Sequence, residues 1–187
     1  MSISVKTSKP ARTRVQRETL HYVSGACSLG TVLVASSAKG VVAVLLGDRT
    51  DTLTEDLQAR FPHAVLSAGG ARELALLGKV VRRIDDPTAN VEVPLDVRGT
   101  AFQGRVWAAL ADIASGDTDT YSAIAARLGD PNATRAVAGA CAANKIAVLI
   151  PCHRVVGKDG AMSGYRWGVD RKRTLLDREA YLGRRAA

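Results

Sequence analysis

The sequence predicts an α+β protein: a small N-terminal antiparallel sheet with helices, followed by a mostly helical half containing a helix-turn-helix. Three observations lead there. Two β-branched apolar runs, Thr31–Ala35 and Val41–Leu46, flank a polar connector ending in Lys39-Gly40, the pattern of a β-hairpin. Apolar residues then recur at helical spacing in several later segments. Between two of these, Gly129-Asp130-Pro131-Asn132 reads as a tight turn.

The elements follow in order. Residues 1–19 read as a flexible basic tail, where Lys6, Lys9, Arg12, Arg14 and Arg17 face only Glu18 in polar, aperiodic text. Residues 20–97 form an N-terminal structural domain. His21–Ala26 supplies a third strand. Leu53, Leu57 and Phe61 predict a helix over 52–61, and Leu74, Leu77, Val81 and Ile84 a second over 71–84. Asp86-Pro87 and Val93-Pro94-Leu95-Asp96 read as a connector. Nothing in this half carries chemistry.

Residues 98–187 form a second domain. Phe102, Val106, Trp107 and Leu110 make one helical stripe, with Thr100 as N-cap and Ser115-Gly116-Asp117 as its end. A short helix covers Tyr121–Leu128 with Ile124, Ala125 and Leu128 inward. Another covers residues 133–143. The apolar run Ile146–Ile150 reads as the end of a buried strand that Pro151 stops, because proline fixes φ and has no amide donor.

Composition bounds the function. The 187 residues suffice for one domain or two small ones, and 47% hydrophobic content suffices for a core. No run approaches the roughly 18 apolar residues of a membrane span, and the N-terminus lacks a signal-peptide core. A cytoplasmic location and no membrane partner are expected. Cys27, Cys141 and Cys152 are odd in number and widely spaced, which argues against a disulfide framework. They lack CxxC pairing, so no metal or other cofactor is expected. The net charge of +8, from 26 basic and 18 acidic residues, favours a polyanionic partner.

The chemistry concentrates at Pro151-Cys152-His153-Arg154-Val155. A thiol beside an imidazole can be held as thiolate, the nucleophilic form. The other reading is a buried structural cysteine with His153 as a satisfied neighbour. Glu179 shares the stripe of Leu175, Leu176 and Leu182, where a carboxylate is costly unless paired. His153 is its natural partner, and the acid would orient the ring and favour its protonated form. Cys152, His153 and Glu179 then follow the nucleophile-base-acid logic of hydrolases, so a cysteine hydrolase stands as an alternative.

The helix over 133–143 is unusual: Arg135 is its one long polar side chain among Ala, Gly, Val, Thr and Cys. A major-groove reader needs several base-reading side chains. Small residues instead let a backbone approach DNA closely, and a single Arg135 would fill the stack when a nucleotide is extruded. A small-residue helix packed tightly on a neighbour is the competing reading.

Taken together, Arg98–Gln103, Tyr121-Ser122, Arg135–Ala138, Cys141–Lys145, Ile150–Val156, Ser163–Gly168 and Arg178-Glu179 closely resemble the O6-alkylguanine-DNA alkyltransferases (methylated-DNA–protein-cysteine methyltransferases), in particular the C-terminal part of bacterial Ada-type members. The likeness spans about residues 21–182. It implies a ribonuclease H-like N-terminal domain and a winged-helix-like DNA-binding and alkyl-acceptor domain. It also implies irreversible transfer of an alkyl group from O6-methylguanine, and from O4-methylthymine, to Cys152 after base flipping.

The resemblance implies roles residue by residue. Cys152 is the acceptor, His153 its base through a water, and Glu179 polarises His153. Asn144 is the hinge residue linking recognition helix to site. Tyr121 helps turn the nucleotide out and donates to the guanine ring. Thr134, Arg135, Ala136 and Tyr121 face DNA, with Arg135 as the finger. Pro151, Val155, Val156, Tyr165, Arg166 and Trp167 line the base pocket; the Val155 and Val156 amides would bind exocyclic groups. The bulk of Trp167 implies poor acceptance of large O6 adducts. A monomer bound through the minor groove of duplex DNA is expected. The Cys-rich phosphotriester-repair module of full Ada proteins is not seen, and no self-methylation switch is expected. An alkyltransferase-like damage sensor would lack the acceptor, and Cys152 is present.

Overall fold

The computed structural model describes residues 17–162 and 164–186, with side chains as far as Leu182. Most of the basic stretch, residues 1–16, and Ser163 lie outside the described residues. The part of the tail that is described is structured: Glu18 forms a two-pronged ion pair with Arg98 (2.6 and 2.7 Å), and strand β1 starts at Thr19.

The predicted hairpin is β2 (Gly30–Ser36) and β3 (Val41–Gly47), and the third strand is β1 (Thr19–Cys27). Beyond these, β4 (Val65–Ala68) pairs parallel to β1. The sheet order is β3-β2-β1-β4, so the sheet is mixed rather than wholly antiparallel. Every residue of β3 from Val41 to Leu46 is buried, which explains why it reads as a continuous apolar run. Its outer edge is covered by two segments. The connector bridges at Leu95, where the Val41 N–H donates to Pro94 (2.8 Å). Gly40 is required there, since a β-carbon would lie 2.5 Å from the Pro94 oxygen. The second covering segment is 145–147, which carries the chain toward Cys152.

Helix α1 (Thr50–Arg60) packs on β2 and β3, and α2 (Ala71–Asp85) on β1 and β2. The inward stripe of α2 is Glu73, Leu76, Val80 and Ile84, while Leu74 is 57% exposed. The expected Leu74-Leu77-Val81-Ile84 stripe is thus rotated. Glu73 tolerates the interior because it accepts from Ser36 Oγ (2.9 Å) and the Gly70 N–H (3.0 Å).

Helix α3 (Ala101–Ala111) begins as predicted. Thr100 Oγ1 accepts the Gln103 N–H (3.2 Å), and Gln103 Oε1 accepts the Thr100 N–H (2.9 Å). After β5 (Asp119–Thr120) come α4 (Tyr121–Arg127), a 3₁₀ turn at Pro131–Ala133, and α5 (Thr134–Ala143). These are the expected helix pair. The short strand β6 (Val155–Val156) pairs parallel with β5, and α6 (Val169–Ala186) closes the chain. One core cluster runs from the β2–β3 hairpin through Trp107, Ile124 and Val137 to Cys152 and Leu175. Full burial of each large apolar side chain there contributes roughly 1.5–3 kcal/mol. No helix among the described residues is long and apolar enough to cross a membrane.

Candidate active site

The site is built on an irregular turn, not on a strand end. Asn144, fully buried, terminates α5. Its Oδ1 accepts the Ile146 N–H (2.8 Å), while Nδ2 donates to the carbonyls of Ile146 (3.3 Å) and Ile150 (3.0 Å) and reaches Cys152 Sγ (3.2 Å). One side-chain amide therefore satisfies the backbone that a strand would have paired. The predicted strand Ile146–Ile150 is reduced to a single bridge, Val44 to Ile146, followed by a turn. An apolar run of this length has no periodicity to separate the two outcomes. Val148 sits at φ 66°, a left-handed conformation that costs a β-branched residue about 1–2 kcal/mol. The segment is held in this state by the β3 edge, where the Ala147 N–H donates to Val44 (3.0 Å) and the Val44 N–H to Lys145 (2.9 Å).

Pro151 is buried, and Cys152–Arg154 form one 3₁₀ turn. That geometry turns His153 and Arg154 inward to a shared carboxylate on α6. His153 Nε2 lies 2.9 Å from Glu179 Oε1. Arg154 grips the same carboxylate with both prongs, Nε to Oε2 and Nη2 to Oε1, each at 2.9 Å, and gives Nη1 to the Ile113 carbonyl (2.6 Å). Burial pushes the Glu179 carboxyl up, but the hydrogen bonds from His153 and Arg154 outweigh it and bring it to about 2. The carboxylate accepts, so the His153 proton belongs on Nε2. Nδ1 is then a buried lone pair without a partner among the described residues.

Two electrostatic expectations are corrected here. Burial lowers the His153 pKa, more than Glu179 raises it, so the ring is neutral rather than held protonated. Burial also pushes the Cys152 thiol up to about 11, against the Asn144 contact and the Lys172 charge that favour thiolate. The thiol form is thereby favoured at neutral pH. Cys152 rests as a buried thiol.

The β5–β6 pairing, Asp119 with Val155 and Thr120 with Val156, brings the start of α4 beside the cysteine turn. Tyr121 is half-buried there. Burial, then the neighbouring Cys141 and Cys152, push its phenol up to about 12, which keeps it a hydrogen-bond donor. The Val155 N–H already donates to the Cys152 carbonyl, so of the two expected backbone donors this one is engaged. Tyr165 is buried edge-to-face with His153 (centroids 6.4 Å), and Trp167 edge-to-face with Tyr165 (5.2 Å). Arg166 is not gathered into this wall: it is exposed and pairs with Asp56 on α1 (3.4 Å). On α5, Val137, Ala140 and Cys141 face inward; Arg135, Ala136, Gly139 and Ala142 are exposed and Thr134 half-buried.

Arg154 and Lys172 were not among the expected site residues. Arg154 adjoins His153, and with His153 it keeps Glu179 ionised. Lys172 is fully buried with Nζ 2.5 Å from the Val155 carbonyl. Its signal was present, because Lys172, Leu175, Leu176 and Glu179 share one i, i+3, i+4, i+7 stripe.

The chain as a whole is similar to known proteins. A family profile described as "6-O-methylguanine DNA methyltransferase, DNA binding domain" matches residues 101–181. The chain is 37% identical over 147 residues to the inducible methylated-DNA–protein-cysteine methyltransferase of Bacillus subtilis, covering 78% of this chain and 82% of that protein. The chain belongs to the methylated-DNA–protein-cysteine methyltransferase family. Within this family it is 46% identical over 174 residues to the bifunctional transcriptional activator/DNA repair enzyme Ada of Escherichia coli, covering 93% of this chain and 49% of that protein. The chain thus spans about half the length of that Ada protein. Among solved methyltransferase-family structures, an OGT of Mycobacterium tuberculosis in complex with DNA superimposes with a TM-score of 0.72 at 33% identity, covering 86% of this chain and 93% of that one.

Proposed function

We propose that this protein repairs duplex DNA by transferring the alkyl group of O6-methylguanine, and of O4-methylthymine, to Cys152, once per molecule. The observation that carries the reading is the buried series Asn144–Cys152, then His153–Glu179–Arg154, in a family member. The reaction is an in-line displacement. The Cys152 Sγ–carbon bond forms as the carbon–O6 bond breaks, and guanine leaves with the electron pair. The thiol proton passes to His153 Nδ1, through a water as the family resemblance implies. Nε2 keeps its hydrogen bond to Glu179, which stabilises the imidazolium. Lys172 and Asn144 favour the thiolate as it forms. The Tyr121 hydroxyl donates to the guanine ring and offsets the charge developing there.

The product is a thioether, which water does not cleave. Cys141 is buried in α5, with its thiol pushed up to about 12 by burial and by Cys152, and is no acceptor for onward transfer. The acceptor is therefore consumed.

The small exposed residues of α5 let it lie in the minor groove, where sequence readout is poor, as suits inspection of any sequence. Arg135 fills the stack after the nucleotide turns out. The domain division at residue 97, monomeric binding and a cytoplasmic setting belong to the same reading. Mass spectrometry after incubation with O6-methylguanine duplex tests it. One methyl group gained on the Cys152 peptide, without turnover, is expected. Methyl loss from DNA by a Cys152→Ser protein, or repeated hydrolysis of an ester, would overturn it.

A further inference from the structure

We infer that Arg171 is a positioning residue: it ties the Tyr165–Trp167 loop to the N-terminal sheet and thereby sets the size of O6 substituent the site accepts. The second half of this inference rests on the alkyl-transfer reading; the first does not.

The guanidinium of Arg171 serves three acceptors from separate parts of the chain. Nε donates to the Leu29 carbonyl between β1 and β2 (2.8 Å), Nη1 donates to the Trp167 carbonyl (2.9 Å), and Nη2 pairs with Asp48 just after β3. The backbone is shaped around it. Gly30 has φ 106°, and a β-carbon there would lie 3.3 Å from Nη2 and 2.8 Å from the Gly47 carbonyl. Asp48 is 85% exposed, so its ion pair alone contributes little. The two carbonyls are the anchor. A planar fork reaches both at fixed angles while keeping the carboxylate, and a lysine does not.

From this anchor, contacts lead to the reacting groups. Trp167, 5% exposed, packs edge-to-face on Tyr165, and Tyr165 on His153. Outside Trp167 lies a cleft of about 580 Å³ lined by Leu46, Gly47, Asp48, Leu53 and Arg166 among others. It offers the indole space to swing into. Among the described residues no hydrogen bond from the ring resists that swing, since Nε1 has no partner there. The restraint acts on the loop backbone, through Arg171. The N-terminal sheet is thus part of the specificity device rather than a passive support.

The chain has two tryptophans, Trp107 and Trp167, so protein labelled with 5-fluorotryptophan carries one reporter and one internal control. Arg171→Met is expected to shift or broaden the Trp167 fluorine resonance and leave that of Trp107 unchanged, with Trp167→Phe giving the assignment. On free bases, Arg171→Met is expected to raise the ratio of O6-benzyl to O6-methyl transfer by roughly tenfold or more, the scale on which apolar pockets discriminate by size. Arg171→Lys falls between. Should Arg171→Met not fold, Arg171→Lys, which keeps the charge and loses the fork to the two carbonyls, is expected to move both readouts the same way by less. An unmoved Trp167 resonance overturns the positioning role. A moved resonance with an unchanged ratio overturns the specificity role. If the unaltered protein transfers neither group, the alkyl-transfer reading fails, and the resonance alone decides for Arg171.

Discussion

Asn144 Nδ2 lies 3.2 Å from Cys152 Sγ and 3.0 Å from the Ile150 carbonyl, so one amide both shapes the Cys152 turn and touches its sulfur. Asn144→Ala separates these roles. The Ile146 N–H loses its partner, while the Ile150 carbonyl keeps the Cys152 N–H (2.8 Å), and one buried group left unpaired costs about 1–3 kcal/mol. The urea midpoint is expected to fall accordingly. The Cys152 pKa is expected to rise further, because the amide contact is a feature that favours the thiolate. Alkylation rate against pH, read on the Cys152 peptide, measures this. An unchanged profile would remove Asn144 from the chemistry and leave it a turn residue.

Glu179 carries the opposite kind of burden. It neutralises Arg154 and orients His153 inside the core. Glu179→Gln leaves the Arg154 cation buried without its counter-charge, a loss of about 3–5 kcal/mol for a broken buried pair. It also removes the partner that stabilises imidazolium, so the Cys152 pKa is expected to rise and methyl transfer to slow. Arg154→Met in the same background is expected to restore much of the stability and none of the transfer rate. Purely additive stability losses in that double-mutant cycle would contradict a shared carboxylate.

The same cluster contributes to the acid limb of stability, alongside Asp96 and Glu73, whose carboxyls are also held low. His153 has its folded pKa below the ordinary 6.5, chiefly through burial, so below pH 6.5 the unfolded chain takes up a proton that the folded one resists. Glu179 is brought to about 2 against an ordinary 4.5, so its contribution is whole above pH 4.5 and is lost as pH falls toward 2. Both slopes have one sign. Unfolding free energy from urea titrations is expected to decline from pH 6.5 downward and more steeply below 4.5. Glu179→Gln should flatten the lower limb and steepen the upper one, because Glu179 holds the His153 pKa up. A profile level between pH 7 and 4 would sink this assignment.

What could be read without coordinates followed from local pattern. The β2–β3 hairpin, the Thr100 cap and the α4–α5 pair each rest on residues within a few positions of one another. Strand β4 escaped because Val65–Ala68 is four residues long, half-exposed and without alternation. The Ile146–Ile150 run reads as a strand but folds as a turn, because its shape depends on the Asn144 side chain rather than on the run itself. In the site, Cys152, His153 and Glu179 are legible as types, whereas their protonation is not: it follows from burial, which a sequence does not carry. Arg171 is the extreme case. Its partner Leu29 is 142 positions away and contributes a backbone carbonyl, so no side-chain pattern encodes the pair.

Arg135 tests whether α5 does more than pack. The residue is exposed on the outer face with Ala136, Gly139 and Ala142, opposite the buried Val137, Ala140 and Cys141. Taking a base out of a duplex costs a few kcal/mol of stacking and pairing, and a side chain that offsets even one of these is worth about fivefold in rate. A free base needs no extrusion. Arg135→Ala is therefore expected to slow methyl transfer from O6-methylguanine duplex by about fivefold or more, while reaction with free O6-methylguanine base keeps its rate. Single-turnover transfer on both substrates measures the difference. Raising salt distinguishes the finger from a simple phosphate contact. Loss of a phosphate contact would reduce the salt dependence of duplex binding, whereas loss of a stack-filling side chain would leave that slope in place and change the transfer step. Equal slowing on duplex and free base would show that Arg135 acts through the fold, and the extrusion role would be withdrawn.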